Sequence, residues 1–187
     1  MKIALIIKRL NTKGGAQRQI LRLAHELKTR GHEVKLYTFL SDKKECFEEL
    51  FEGLDVLSLP AYDPPSYGKG GIALLFSYLK ILRYENNACR KLASLIDADT
   101  DLLHPHDHVV YRAAVYFKKY VKNIPSVWMM NDMPTRLFSF WRDKECKSDV
   151  RLPLVKKIFY WLIDFFEIWM FIEPQDGIVV VDFRDEK

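Results

Sequence analysis

Two rhythms of apolar and polar positions run through the first forty or so residues and switch at a pair of glycines. Lys2-Ile3-Ala4-Leu5-Ile6-Ile7 is a short apolar run of the kind that becomes a strand buried on both faces. After Lys13-Gly14-Gly15 the spacing changes: Ala16, Ile20, Leu23 or Ala24, and Leu27 recur at steps of three and four and share one helix face. Gly31 stands where a helix C-cap belongs. Val34, Leu36 and Tyr37-Thr38-Phe39 then read as a second strand. The pattern predicts a βαβ unit with a glycine turn between strand and helix. There the backbone can approach a ligand closely, and the free N–H groups of the helix start favour an anion.

The same alternation continues. Ser41 to Gly53 is charged and helix-prone, and Asp55-Val56-Leu57-Ser58-Leu59 reads as a short third strand ended by Pro60. Ala61 to Gly71, with Pro64, Pro65, Gly68, Gly70 and Gly71, is a loop by its turn chemistry. Ile72 to Ile96 carries one long helical pattern or two helices. Asp101 to His104 is a strand, Val109 to Val121 a helix, and Ser126 to Met130 a strand. Strands alternating with helices predict a parallel sheet covered on both faces.

Composition narrows the function classes. With 187 residues, 49% hydrophobic and 29% charged, the chain fits one globular domain with a real core. The net charge of +4 is spread out, without the basic block of a nucleic-acid arm. Cys46, Cys89 and Cys146 are far apart and odd in number, which argues against a disulfide framework or a zinc site. Met1 leads directly into a strand without a basic n-region or cleavage site, so a reducing, cytoplasmic setting is expected. Ile158 to Ile172 is strongly apolar but too short to span a bilayer, and it contains Asp164 and Glu167. Lys157, Tyr160, Asp164, Glu167 and Phe171 share one polar stripe. An acidic stripe suits anionic lipid poorly, so packing against protein is the preferred reading. Peripheral membrane contact through 151–172, at the inner face of the membrane, is the alternative.

Ligands of open α/β sheets gather at the carboxyl ends of the strands. Three polar or glycine-rich turns fall there: Gly14-Gly15, His104-Pro105-His106-Asp107-His108, and Asn131-Asp132. Alternating imidazoles suggest zinc, but Pro105 restrains the backbone and no further Cys or Glu stands at ligand spacing, so no metal is expected. Loop histidines without a role are the other alternative. Asn131 cannot titrate and is left a hydrogen-bonding role, while Asp132 either orients a hydroxyl, acts as a base, or caps the turn before Pro134. Arg18 opposes the helix dipole, and so either binds a phosphate or carboxylate or forms a surface salt bridge. Gly14-Gly15 does not extend to Gly-x-Gly-x-x-Gly, which argues against NAD chemistry.

Gly14-Gly15-Ala16-Gln17-Arg18, followed by Leu21-x-Leu23-Ala24-x-x-Leu27-x-x-Arg30-Gly31-His32-x-Val34, resembles the start of the family-4 retaining glycosyltransferases. The resemblance implies a Rossmann-like parallel sheet with helices on both faces, one half of a GT-B architecture. Residues 1–187 would cover the N-terminal, acceptor-binding domain, and Asp176-Gly177-Ile178-Val179-Val180-Val181 would be its last strand. Asp182 stands where that family has a serine. The C-terminal donor-binding domain would be supplied elsewhere, in cis or in trans, and this chain alone is expected to be inactive. The implied reaction passes a sugar from a nucleotide-diphosphate sugar to a hydroxyl on a lipid-linked, cell-envelope polysaccharide or other glycan acceptor, with no further cofactor. The resemblance puts Gly14 and Gly15 against the donor phosphate and His106 and Asp132 at the reacting sugar. Gln17, Arg18, Asp107 and Asn131 fall on the acceptor side. His106 is expected to open into the cleft beside Gly15, and His108 to begin the following helix. The alternatives are a stand-alone Rossmann-like binding or partner module and half of a nucleotide-sugar epimerase.

Overall fold

The computed structural model describes residues 1–66, 71–131 and 154–180. Strand β1 (Lys2–Leu10) leads through the glycine turn into α1 (Gly15–Thr29) and returns as β2 (Glu33–Ser41). Helix α1 ends in a two-bond cap: Gly31 N–H donates to the Lys28 carbonyl at 2.9 Å, and His32 N–H to the Leu27 carbonyl at 3.1 Å. Gly31 adopts φ 84°, a left-handed conformation that costs a residue with a Cβ appreciably more.

β3 (Asp55–Ser58), α2 (Gly71–Leu95), β4 (Leu102–Pro105), α3 (Tyr111–Tyr120) and β5 (Val127–Met130) follow. The last described part is α4 (Leu154–Glu167), a π-helical turn (Ile168–Ile172) and β6 (Gly177–Val180). All strand pairs are parallel, in the order β3-β2-β1-β4 with β5-β6 beside them. Bridges Leu103–Ser126 and His106–Met129 join β4 to β5. The order 3-2-1-4-5-6 is that of a dinucleotide-type doubly wound sheet. The expected α/β class holds.

The core explains why β1 reads as a continuous apolar run. Ile3, Leu5 and Ile7 pack with Ile20, Leu21 and Ala24 of α1 on one face. Ala4 and Ile6 pack on the other face in the cluster that holds Leu92 of α2 and Phe117 of α3. Both faces are covered, so alternation disappears.

Ser41 to Gly53 departs from expectation. It holds only a short 3-10 helix, Glu48–Leu50. Asp42 Oδ1 accepts from the N–H of Lys44 and of Glu45, at 3.0 and 3.4 Å, offering the backbone a turn instead of a helix. Buried Cys46 and Phe51 then anchor the segment beneath α1. Ile72 to Ile96 is a single helix. Among the described residues no helix is long and apolar enough to cross a membrane.

Candidate functional site

The three turns do come together at the carboxyl edge. β1 pairs with β4 through Ile6–Pro105, and His106 N–H donates to the Ile6 carbonyl at 2.7 Å. Asp107 N–H donates to the Met129 carbonyl at 3.3 Å, which sets the histidine loop beside the end of β5 and thus near Asn131. Asp132 lies outside the described residues.

Gly14 is the N-cap of α1 in extended conformation, with no side-chain cap, and the first turn holds no acidic residue. Gln17 folds back over this turn: its Nε2 donates to the Arg9 carbonyl at 3.2 Å. A Cβ on Gly14 would collide with the Gln17 Oε1, whereas one on Gly15 would meet nothing within 4 Å. Gly14 thus makes room for the amide that ties the turn to β1, and Gly15 faces open space. Gln17, expected on the acceptor side, holds the turn with its amide N–H. Arg18 is exposed and forms no ion pair among the described residues. The salt-bridge alternative for Arg18 thus has no partner among those residues, and the helix start stays electropositive.

His106 corrects the expectation of a side chain opening into the cleft. It is 0% exposed, and neither ring nitrogen finds a hydrogen-bond partner among the described residues. Burial, helped by the neighbouring His104 ring, pushes its pKa down to about 3. The two rings lie 4.5 Å apart. His104 Nδ1 sits 2.5 Å from the Val127 carbonyl, a bond that fixes the proton on Nδ1 and counters the lowering of its pKa by burial. His106 is therefore a neutral imidazole, able to exchange hydrogen bonds with a hydroxyl but not to be a cation near neutral pH.

The loop holding it is strained. Asp107 has φ 74° and Val109 φ 78°. Aspartate tolerates this region, but a β-branched valine there is a true outlier, of the sort that clusters at functional sites. His108 precedes α3 by three residues and does not begin it. Its ring meets Tyr111 edge-on at 5.9 Å, and burial first, then the Arg112 charge, lowers its pKa. Asn131 is half-buried, and its Nδ2 has no partner among the described residues.

Sequence reasoning missed the charged network beside this loop. Arg112 and Glu167 have side chains 3% and 7% exposed and pair through two bonds, Nε to Oε1 at 2.7 Å and Nη2 to Oε2 at 2.6 Å. Tyr111 Oη donates to Glu167 Oε1 at 2.5 Å, and Arg112 Nη1 to Asn86 Oδ1 at 3.0 Å. Burial works against the guanidinium charge, yet Glu167 holds its pKa above the usual arginine value. Lys8, near the end of β1, pairs with Glu85 at 2.9 Å. A small cleft lined by Tyr78, Glu85, His108, Arg112, Asp164 and Glu167 lies between them. A lone arginine in the apolar pattern 109–121 and a lone glutamate in 158–172 were the available signals, since such charges are buried only when paired. Among the described residues no three His, Cys, Asp or Glu side chains converge as a metal-ligand set.

The chain is similar to CalG4, the calicheamicin glycosyltransferase, at 16% identity and a TM-score of 0.51, over 95% of this chain and 47% of that one. The glycotransferase of kitacinnamycin matches at 19% identity and a TM-score of 0.43, over 77% of this chain and 33% of that one. The lipopolysaccharide outer core galactosyltransferase WaaB matches at 15% identity and a TM-score of 0.43, over 70% and 32%. The chain thus spans between a third and a half of the length of these structures. No curated protein matches. The likeness to CalG4 is one of fold, a Rossmann-like half of the GT-B architecture. The profile of Glycosyltransferase Family 4 covers residues 13–172, taking in the glycine turn, the histidine loop and the Arg112–Glu167 pair, and the chain belongs to that family.

Proposed function

We propose that this chain is the acceptor-binding half of a retaining glycosyltransferase that moves a sugar from a nucleotide-diphosphate sugar to a hydroxyl of a glycan or lipid-linked acceptor. The observation that carries the reading is the meeting of the uncapped Gly14-Gly15 helix start and the strained His106 loop at one edge of the sheet, within the family match. The donor-binding half would face that edge. The N–H groups at Gly14 and Gly15 would meet the leaving diphosphate, where a helix dipole favours negative charge. Arg18, Asp107 and Asn131 would contact the acceptor, and Asp132 would orient or deprotonate its hydroxyl. His106 would hydrogen-bond the transferred sugar as a neutral imidazole, through a shift of the Asp107–Val109 loop that relieves its backbone strain.

The test is transfer by an enzyme in which this chain is joined to a donor-binding half. His106→Ala should lower kcat on the order of a hundredfold while the fold is kept, the loss expected for a positioned polar group at a reacting centre. Near wild-type transfer by His106→Ala, with His104→Ala or His108→Ala inactive, would overturn the residue assignment. Absence of transfer by the wild-type pair with any nucleotide sugar would favour a binding module.

A further inference from the structure

We propose that the outward face of α4 lies flat on an anionic membrane surface. This inference does not rest on the transfer reaction. Helix α4 is amphipathic in the inverse sense: its acidic residues point into the protein and its apolar residues point out. Asp164 and Glu167 are buried, and Glu167 is bound by Arg112 and Tyr111. On the opposite side Trp161, Phe165 and Trp169 are 57%, 51% and 60% exposed, and Ile158 and Leu162 continue the stripe. The acidic stripe that made lipid a poor match at the level of sequence is therefore hidden.

Charge complementarity selects the occupant. The exposed stripe of α4 carries no carboxylate, and the helix has no acidic residue in its first turn, where Lys156 and Lys157 follow in sequence. Helix α2 packs beside it, with Tyr78 meeting Phe159 edge-on at 6.0 Å. α2 exposes Phe76, Leu79, Lys80 and Arg83 at helical spacing, two apolar and two basic side chains. Apolar rings beside lysine and arginine form the pattern that seats in the headgroup boundary of anionic lipid, and tryptophan is the residue most suited to that depth.

The experiment is flotation of the 187-residue chain with vesicles of phosphatidylglycerol and phosphatidylcholine, compared with phosphatidylcholine alone. Wild type should float with the anionic vesicles and bind neutral ones about tenfold less, the difference two basic side chains supply. Trp161→Glu with Trp169→Glu should reduce binding about tenfold or more, since two rings leave the interface. Far-ultraviolet circular dichroism and emission from buried Trp128 check that the variant is folded. Should the variant not fold, quenching of wild-type tryptophan emission by lipid brominated high on the acyl chain decides in its place. Absence of flotation by wild type, absence of quenching, or flotation unchanged in a folded variant would each overturn the proposal. A wild-type dimer in sedimentation equilibrium that the double variant dissolves, without vesicle binding, would overturn it in favour of a second copy of the chain.

Discussion

His106 is wholly buried, with both ring nitrogens unpartnered among the described residues. Its place after the fourth strand follows from chain order, because Leu102–Pro105 is a strand and the loop must leave at the carboxyl edge. Its burial depends on what folds over that edge, which no local pattern encodes. The consequence for stability can be measured. The unfolded imidazole titrates near 6.5 and the folded one near 3, so between those values the unfolded chain binds more protons. Stability therefore rises with pH across this window: the contribution is complete above about 6.5 and is lost as pH falls through about 3. The full effect is on the order of a few kcal/mol. His106→Leu should flatten that part of the pH–stability curve in urea titrations. It should also be neutral or stabilising at pH 7, because two unpaired buried nitrogens leave with the ring. A variant as acid-labile as wild type would show that another group governs this range. The glycine turn was legible for a plainer reason. Gly14 and Gly15 mark a change of period that the backbone obeys, whereas the grip of Gln17 on the Arg9 carbonyl needs the folded turn to exist.

Helices α3 and α4 were both visible as periodic segments, but the tie between them was not. Their contact joins positions 112 and 167 across β5 and a long crossover, and side-chain spacing carries no information at that separation. The physical clue was the cost of burying a charge inside an apolar pattern, which leaves a partner implied and unnamed. The pair is rich in hydrogen bonds, with Tyr111 on the carboxylate, Asn86 on the guanidinium, and the Phe171 ring 5.3 Å from the Arg112 carbon. Removing one member strands the other's charge. Arg112→Ala and Glu167→Ala should each cost about 3–5 kcal/mol in chemical denaturation. The paired change Arg112→Met with Glu167→Leu should cost far less than the sum, because no buried charge remains. Additive losses would mean that the two residues act through separate contacts. The same element explains the failed helix at Ser41 to Gly53 by contrast. That segment had helix formers, but Asp42 captured its amides first, and Cys46 and Phe51 dock beneath α1 from a short 3-10 turn instead.

At the scale of the whole molecule, the sheet order 3-2-1-4-5-6 sets the glycine turn, the histidine loop and Asn131 at the carboxyl ends of the strands, an edge to which a donor-binding half would add a second wall. The glycine turn gives a diphosphate a single helix start, with Arg18 the exposed cation in its first turn. A nucleotide base and ribose would need a pocket with stacking and hydrogen-bonding groups, and the cleft nearest the histidine loop is small and filled with charge pairs that already satisfy one another. A single helix terminus contributes at most a couple of kcal/mol to anion binding, which corresponds to dissociation constants in the millimolar range or weaker. Calorimetry of this chain with UDP- and GDP-sugars should accordingly record little heat, and no sugar should be transferred or released. Addition of a donor-binding half should bring the binding heat with it, since the second wall then supplies the base and ribose contacts. Micromolar binding by the 187-residue chain alone would place a complete nucleotide site within it and end the half-enzyme reading.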